Sequence, residues 1–368
     1  NSGVMDLSTD ARTKSDRNIM ETAITRITQR ANNAPSLPET ANAFCLHYGS
    51  IYKWSVLGMV VMEAVQAACT ILLPFAIKQI MDSVALSQSQ GSDIWQEVES
   101  AIWLFALLNV GIVLSSRISG AFLVMLAPSI RRRIRSELFS YLQHHSQNYF
   151  LSNFAGSLAN RISEVSMSVA FTIWTVLLDF WPLLISFSVS LVLLVGVNNE
   201  LALILATWIT LYIAVSYALA KRCRDYAKQY AAARSLVTGK IVDSVTNIMN
   251  AKLFARIDYE RAYLDGFLNL EVKRARATYW YMEVIRWFQF IAAMILMLGV
   301  ILYALKIWAE GGMSVGEFAM ASSLSLLLIE KARGLSRRFL DFFEYLGNIN
   351  DGIGVIVRSH DVIDEIDA

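Results

Sequence analysis

The sequence has little charge, cysteine or proline, and each shortage excludes a class of protein. Only 17% of the 368 residues are charged, against roughly 25% in an average soluble domain, so the chain is short of polar surface. Lys plus Arg number 32 and Asp plus Glu 31, which excludes an acidic disordered tail and a strongly basic nucleic-acid binder. The three cysteines, Cys45, Cys69 and Cys223, lie too far apart for a disulfide scaffold or a metal site. Five prolines and eighteen glycines favour long helices over strands and turns.

Apolar residues are abundant, at 55% of the chain, and they form six runs that each approach the ~20 residues needed to cross a bilayer. The runs cover 54–77, 101–130, 167–197, 201–220, about 280–305 and about 315–340. The sixth contains Glu330, Lys331 and Arg337, so we expect its last turns to leave the membrane. Residues 1–53 contain no apolar run long enough for a signal peptide. The pattern predicts an all-α integral membrane protein with six transmembrane helices.

The cations are distributed unequally between the segments that join these runs. Residues 1–53, 129–166, 221–276 and 333–368 contain 27 of the 32 Lys and Arg residues, whereas the intervening loops contain only Lys306. Cytoplasmic loops of membrane proteins carry an excess of Lys and Arg. We therefore expect a multi-pass protein of the cell (inner) membrane, with both termini and the two long loops in the cytoplasm.

The two long loops keep the apolar repeat of a helix. In the first loop the repeat is Ile130, Ile134, Leu138 and Tyr141. The 45 residues from Ala101 to His145 would form ~68 Å of helix at ~1.5 Å per residue, of which the hydrocarbon core takes only ~30 Å. We therefore expect the transmembrane helices to extend into the cytoplasm as long helical hairpins.

Short motifs follow one another along these runs. The first loop contains the arginine-rich stretch 131–135, the pair Tyr149-Phe150 and the turn 156–162, Gly-Ser-Leu-Ala-Asn-Arg-Ile. The second contains Asp243-Ser244, Asn247-Ile248 and the stretch 251–255. Pro74 and Asp82 end the first run, and the segment 314–318 opens the sixth. In this order they resemble, over roughly residues 40–368, the transmembrane domain of an ATP-binding-cassette (ABC) exporter of the bacterial multidrug or lipid type.

The resemblance implies a division of the chain. It implies a cytoplasmic N-terminal segment (1–39), an elbow helix at the membrane surface (40–53), a six-helix transmembrane domain (54–345) and a linker toward a nucleotide-binding domain (346–368). The chain contains no Gly-x-x-x-x-Gly-Lys-Ser/Thr loop for phosphates. We therefore expect ATP and Mg²⁺ to bind to a nucleotide-binding domain that either continues this chain or is a separate polypeptide.

The resemblance also implies partners. The expected partners are a second copy of the same or a homologous transmembrane domain, most simply as a homodimer, the nucleotide-binding ATPase domain, the lipid bilayer and a hydrophobic or amphipathic substrate, with no nucleic acid. We expect the complete transporter to hydrolyse ATP, with no catalytic residue and no metal ligand on this chain.

The tips of the two long loops are where the resemblance implies contact with the ATPase. It implies one coupling helix at about 146–155 and a second at about 254–263. Aromatic side chains on exposed tips suit pockets on a partner, although they could instead pack the hairpins against their own neighbours. The candidate coupling residues are Tyr149, Phe150, Asn153, Phe254, Arg256, Asp258 and Tyr259.

Charges inside the apolar runs mark a candidate substrate cavity. Glu63, Arg117 and Asp179 lie ~15 Å of helix from the cytoplasmic ends of their runs, near the bilayer midplane. A midplane charge costs at least ~2.5 kcal/mol, so each should face a partner or a water-filled cavity. We expect Glu63 to pair with Arg117, with direct substrate contact as the alternative. The candidate cavity residues are Glu63, Arg117, Trp174, Asp179, Arg286, Trp287 and Phe290.

Two other functions stay open at this point. A secondary transporter driven by an ion gradient would use Glu63 and Asp179, but the long hairpins and the lack of broken spans count against it. A membrane scaffold or receptor would not need charges at the midplane. We therefore expect the substrate-translocating domain of an ATP-driven exporter, which moves hydrophobic or amphipathic substrates out of the cytoplasm or inner leaflet by alternating access.

Overall fold

The computed structural model describes residues 37–90, 93–153 and 155–358. In those ranges the chain forms helices joined by short turns, and no β-strand occurs there. Most of the predicted N-terminal segment 1–39 and the last ten residues of the predicted linker lie outside the described residues. The prediction of an all-α membrane protein is confirmed.

The helices follow one another with few interruptions. In chain order they are α1 (Ala41–Ile51), α2 (Lys53–Gln90), α3 (Ile94–Gln143), α4 (Gln147–Ser152), α5 (Ala155–Trp174), a π-helix (Thr175–Phe180), α6 (Trp181–Val195), α7 (Asn199–Thr246), α8 (Ile248–Leu253), α9 (Ile257–Ala309), α10 (Val315–Arg333) and α11 (Leu335–Ile356).

Five helical segments are long and apolar enough to cross a membrane. They are α2, α3, the segment Ala155–Val195 that contains α5, the π-helix and α6, and then α7 and α9. The sixth predicted span coincides with α10, which is not among these five, and its 19 residues bury one face, including Leu324 and Leu328. Glu330, Lys331 and Arg333 at its end make α10 less apolar than the other five. The helix ends at Gly334 instead of continuing to about Leu340, since glycine weakens a helix interior.

Several helices are longer than a bilayer requires. Helix α3 has 50 residues, α7 has 48 and α9 has 53. At ~1.5 Å per residue each is over ~70 Å long, more than twice the ~30 Å hydrocarbon core. The predicted extension of the transmembrane helices into long hairpins is therefore confirmed.

The chain forms two compact units. The hairpin unit contains the described residues up to Tyr52, residues 125–170 and residues from Leu346 onward. Its core includes Phe44 of α1, Ile134 and Leu138 of α3, and Ile353 of α11. The Tyr48 hydroxyl donates to Glu137 at 2.6 Å, and burial raises the pKa of Tyr48 so that this proton is retained.

The bundle unit contains residues 53–124 and 171–345. Its core is an apolar cluster contributed mainly by α6, α7, α9 and α10. Leu205, Val300, Ala304 and Leu324 are fully buried in it. Small residues such as Ala304 let the helix backbones approach closely, as is common where helices pack within membranes.

Candidate functional site

The first hairpin is formed by α3, α4 and α5, and the second by α7, α8 and α9. The tip of the second hairpin exposes an apolar patch. We call it the second-tip patch and define it as Met249, Leu253, Phe254, Ile257 and Tyr259, all of which are exposed. Phe254 is the most exposed of these side chains, at 77%. An exposed cluster of large apolar side chains is typical of an interaction surface.

A left-handed turn between α8 and α9 holds the second-tip patch in place. The Arg256 amide donates to the Ala251 carbonyl at 2.8 Å and the Ala255 amide to the Lys252 carbonyl at 3.1 Å. These two bonds form a Schellman motif, and Ala255 occupies its left-handed position with φ of 50°.

The short helix at the second tip is therefore Ile248–Leu253, which ends directly before the predicted coupling segment 254–263. Because the left-handed turn ends α8 at Leu253, Phe254 lies in the turn, while Asp258 and Tyr259 lie in the first turn of α9. The Arg256 guanidinium lies over the Tyr259 ring, 5.4 Å from its centroid.

The tip of the first hairpin has a different character. Helix α4 lies inside the predicted coupling segment 146–155, and Phe150 and Leu151 on it are exposed. Tyr149 is only 9% exposed, so the expectation that it projects from the tip is wrong. Its ring stacks on His145 with centroids 4.0 Å apart, and its hydroxyl donates to the Val355 carbonyl at 3.0 Å. Burial raises the pKa of Tyr149, so this hydroxyl keeps its proton.

Asn153 closes the first tip. Its side-chain amide donates to the Tyr149 carbonyl at 3.0 Å, one turn earlier. This bond satisfies one of the carbonyls left free at the end of a helix. The structure therefore gives Asn153 a local capping contact.

The charges that the sequence places near the midplane do not pair as expected. Glu63 accepts a hydrogen bond from Ser119 at 2.6 Å, while the Arg117 guanidinium is exposed and donates to the neighbouring Ser116 at 3.3 Å. Ser115 and Ser119 lie on the buried face of α3. Arg117, two residues from Ser119, is turned about 200° away at ~100° per residue. The expected Glu63–Arg117 ion pair is therefore absent, although both residues are described.

Asp179 lies in the π-helix and has a partner that the sequence analysis did not identify. Its carboxylate lies 3.0 Å from the Arg338 guanidinium of α11, and both side chains are about one-third exposed. A π-helical turn inside an α-helix is frequent at functional sites. We call this the Asp179–Arg338 pair.

Aromatic residues follow Asp179 and Arg338 in the sequence, and their rings contact one another. Phe180 packs against Phe339 and Phe342, with centroids 5.2 and 5.5 Å apart. Tyr217 of α7 packs edge-on against Phe339 and Phe343. The spacing of Phe339, Phe342 and Phe343 is that of one helix face, which is the sequence signal that could have located this cluster.

Among the described residues, the other cavity candidates do not contact the Asp179–Arg338 pair, and those with a described partner contact different side chains. Arg286 pairs with Glu283 on its own helix, and Phe290 lies beneath the Arg333 guanidinium at 4.9 Å. Trp287 is exposed and Trp174 is half-buried at the end of α5. Within the part of the chain that the structure describes, no hydrogen bond, ion pair or ring contact joins two of the seven predicted cavity residues.

Two of the sequence motifs meet at the other end of the bundle unit. Lys78 of α2 pairs with Glu317 of α10 at 2.9 Å, and Asp82 accepts a hydrogen bond from the Gly316 amide at 3.2 Å. Ser314 and Glu317 form a capping box at the start of α10. These contacts fasten α2 to α10.

Comparison with known proteins adds a family and relatives. The family model for the ABC transporter transmembrane region matches residues 56–331. A protein of Haemophilus influenzae named "Uncharacterized ABC transporter ATP-binding protein" is 26% identical over 273 residues, covering 74% of this chain and 44% of the relative. The "Iron-sulfur clusters transporter ABCB7, mitochondrial" of Danio rerio is 21% identical over 262 residues, which cover 69% of this chain and 35% of the relative.

A solved structure has the same fold. The structure of a bacterial Atm1-family ABC exporter with ATP bound matches with a TM-score of 0.70 at 18% identity, covering 86% of this chain and 56% of that one. This chain thus spans about half, or less, of the length of the proteins it matches.

Proposed function

The chain belongs to the family of ABC transporter transmembrane regions, and we propose that it is the substrate-translocating domain of an ATP-driven exporter. The observation that carries the proposal is the length of α3, α7 and α9, whose hairpins extend far beyond a bilayer. A channel or simple anchor has no evident need for such hairpins. An exporter needs them to carry movement from an ATPase to the membrane.

The second-tip patch is our proposed main docking site for the ATPase domain. Phe254 and Tyr259 offer exposed rings, and Arg256 and Asp258 offer charges beside them. Rings surrounded by polar groups are typical of the few residues that dominate a protein interface. On the first tip, we assign this role to Phe150, whereas Tyr149 supports the tip from beneath.

We place substrate contact at the Asp179–Arg338 pair and the rings beside it. An ion pair that is one-third exposed within an apolar bundle offers charge to a polar group, while Phe180 and Phe339 offer apolar surface. Such a site fits a hydrophobic or amphipathic substrate. The pair can also open, because one-third of each side chain is accessible.

The working assembly in this proposal contains two transmembrane domains, most simply two copies of this chain, with ATP-binding domains on the cytoplasmic side. The chain has no phosphate-binding loop, so ATP and Mg²⁺ belong to those domains. The membrane is the cell (inner) membrane, with both termini of this chain in the cytoplasm. This chain contributes binding, gating and the transmission of movement.

Transport into inside-out vesicles tests the proposal. Vesicles that contain the assembly of this chain with its ATP-binding domain should accumulate at least one member of a panel of lipids, amphipathic drugs and small peptides. Uptake should require hydrolysable ATP and should be lost when a non-hydrolysable analogue replaces it. Uptake that an ion gradient drives without ATP would contradict the proposal and favour a secondary transporter.

A further inference from the structure

Three side chains of the first hairpin contact the backbone at the end of α11. The Tyr141 hydroxyl donates to the Arg358 carbonyl at 2.7 Å, and the Tyr149 hydroxyl donates to the Val355 carbonyl at 3.0 Å. Between them, His145 Nε2 lies 2.8 Å from the Ile356 carbonyl. A carbonyl only accepts, so this nitrogen carries a proton and donates. We call Tyr141, His145 and Tyr149 the hairpin clasp.

The hairpin clasp satisfies a general need of helix ends. The last four carbonyls of a helix have no partner within that helix. Helix α11 ends at Ile356, so the carbonyls of Val355 and Ile356 belong to this set. Both receive their donors from side chains more than 200 positions earlier in the chain. The end of α11 is thus completed by the first hairpin.

The rings of the hairpin clasp support one another. Tyr149 stacks on His145 with an angle of 13° between the ring planes, and Tyr141 meets His145 edge-on with centroids 5.7 Å apart. All three residues are at most 9% exposed. Stacked and buried rings have little freedom to rotate, so the three donors are held toward the carbonyls.

A second set of contacts, on the other helix of the hairpin, holds α11 from a different side. Gly352 packs directly on the Val165 side chain of α5, with no room for a Cβ atom. The Arg161 guanidinium donates to the Asp351 carbonyl at 3.3 Å. Ile353 and Ile356 are buried. Both helices of the first hairpin therefore bind the same two turns of α11.

We propose that the hairpin clasp joins the first hairpin and the end of α11 into one rigid body, so that a displacement of the backbone at 355–358 moves the first tip within the same chain. The clasp residues act as positioning residues, and they contact neither substrate nor nucleotide. This inference rests on the proposed function, because it adds a second route of coupling, through the backbone at the end of α11, to the route through the exposed tips.

The variant that tests the clasp removes hydroxyl groups and keeps the rings. Y141F combined with Y149F deletes two donors but preserves stacking and burial. The matched control is Y52F, because the Tyr52 hydroxyl also donates to a backbone carbonyl of the hairpin unit, that of Ser129, at 3.4 Å. A single Y149F variant covers the case in which the double variant fails to fold.

The first measurement reports on rigidity. Spin labels on L151C, at the exposed first tip, and on G354C, which has open space around it, give a distance by pulsed electron resonance. We expect a narrow distribution that is the same without nucleotide and with trapped ATP. In Y141F/Y149F it should broaden at least twofold, and in Y52F it should not. A distance that changes with nucleotide in the unsubstituted chain would overturn the rigid body.

The second measurement reports on coupling and separates the two proposals. In the assembly with its ATP-binding domain, Y141F/Y149F should keep basal ATP hydrolysis within twofold and lower the substrate transported per ATP at least fivefold. Unchanged transport per ATP would overturn the proposed route. If the unsubstituted assembly transports nothing with ATP, the exporter proposal fails, while the label distances still decide whether the clasp is rigid.

Discussion

The charged residues predicted to lie near the midplane have partners that depend on how each helix is rotated. Asp179 pairs with Arg338, while Glu63 accepts from Ser119. The exposed Arg117 donates to the neighbouring Ser116, its one hydrogen-bond partner among the residues that the structure describes. In a bilayer, a charge in this position needs water or another chain beside it. Asp179, Glu63 and Arg117 therefore have three different environments.

The Asp179–Arg338 pair should show energetic coupling. D179N and R338Q should each lower the thermal stability of the protein in detergent, because each leaves one charge without its partner, and the double variant should cost at least ~0.5 kcal/mol less than the sum. R337Q is the control, because Arg337 is 88% exposed and lies 3.9 Å from Asp341. Strict additivity of D179N and R338Q would show that the contact carries no energy.

Among the described residues other than glycine, Ala255 has the one positive φ, at 50°, which is an unfavourable backbone conformation. Glycine adopts this conformation without a steric penalty, so A255G should stabilise the second tip by about 1 kcal/mol. The same change at Ala251, within α8, should destabilise by about 1 kcal/mol. Amide hydrogen exchange across 248–258 measures both effects. Faster exchange in A255G than in the unsubstituted chain would contradict the prediction.

Whole elements meet through glycine where their backbones approach closely. A Cβ atom at Gly316 would lie 2.5 Å from Asp82 Oδ1 and 2.6 Å from the Lys78 carbonyl. The second neighbour is backbone and cannot rotate away. Helices α2 and α10 are thus held at a distance that only glycine permits at this position, beside the Lys78–Glu317 ion pair.

G316A should therefore separate α2 from α10 and destabilise the protein by about 1–3 kcal/mol, as overpacking in a core does. The control is G299A on α9, where nothing lies within 4 Å of the added methyl group. Because alanine favours a helix over glycine, G299A should be neutral or slightly stabilising. Thermal unfolding of both variants in the same detergent compares them, and equal melting temperatures would refute the close-approach argument.

The whole molecule should have the orientation that its cation distribution predicts. Single cysteines at Ser89 and Gly312 should react with a membrane-impermeant maleimide from outside intact cells, because they lie between the apolar runs in segments with almost no Lys or Arg. Cysteines at Ser152 and Asn269 should react only after the membrane is opened. All four positions are exposed, so access and not burial decides the labelling. Labelling of S152C from outside would overturn the topology. The three native cysteines are first replaced by serine.

The two hairpins of the molecule differ in how much of their tips is free. In the first tip, Tyr149 is buried and hydrogen-bonded to Val355, whereas the second tip exposes Phe254 and Tyr259. In the proposed function the second tip therefore contributes more to docking. F254A with Y259A should lower substrate-stimulated ATP hydrolysis more than F150A does, by at least threefold, with substrate affinity unchanged. A larger loss in F150A would reverse the assignment.

The sequence by itself determined the class of protein and the extent of its helices. Apolar runs near 20 residues and a helical repeat that continues past them are local properties, and local patterns of this length specify helices without reference to the rest of the chain. The distribution of Lys and Arg likewise predicted one orientation from composition alone. The motif order led to the family because it requires no contact information.

Only the tertiary structure decided which side chains meet. Residues 117 and 119 are equally near Glu63 in depth, but a shift of two positions turns a side chain about 200° around its helix. Arg338, expected beyond the membrane, reaches Asp179 because α11 brings it to the π-helix. Tyr149, expected at an exposed tip, is buried because it packs on His145 and donates to a carbonyl at the end of α11 that has no partner within that helix. Rotation and long-range packing, which no local pattern encodes, set the contacts of the candidate site.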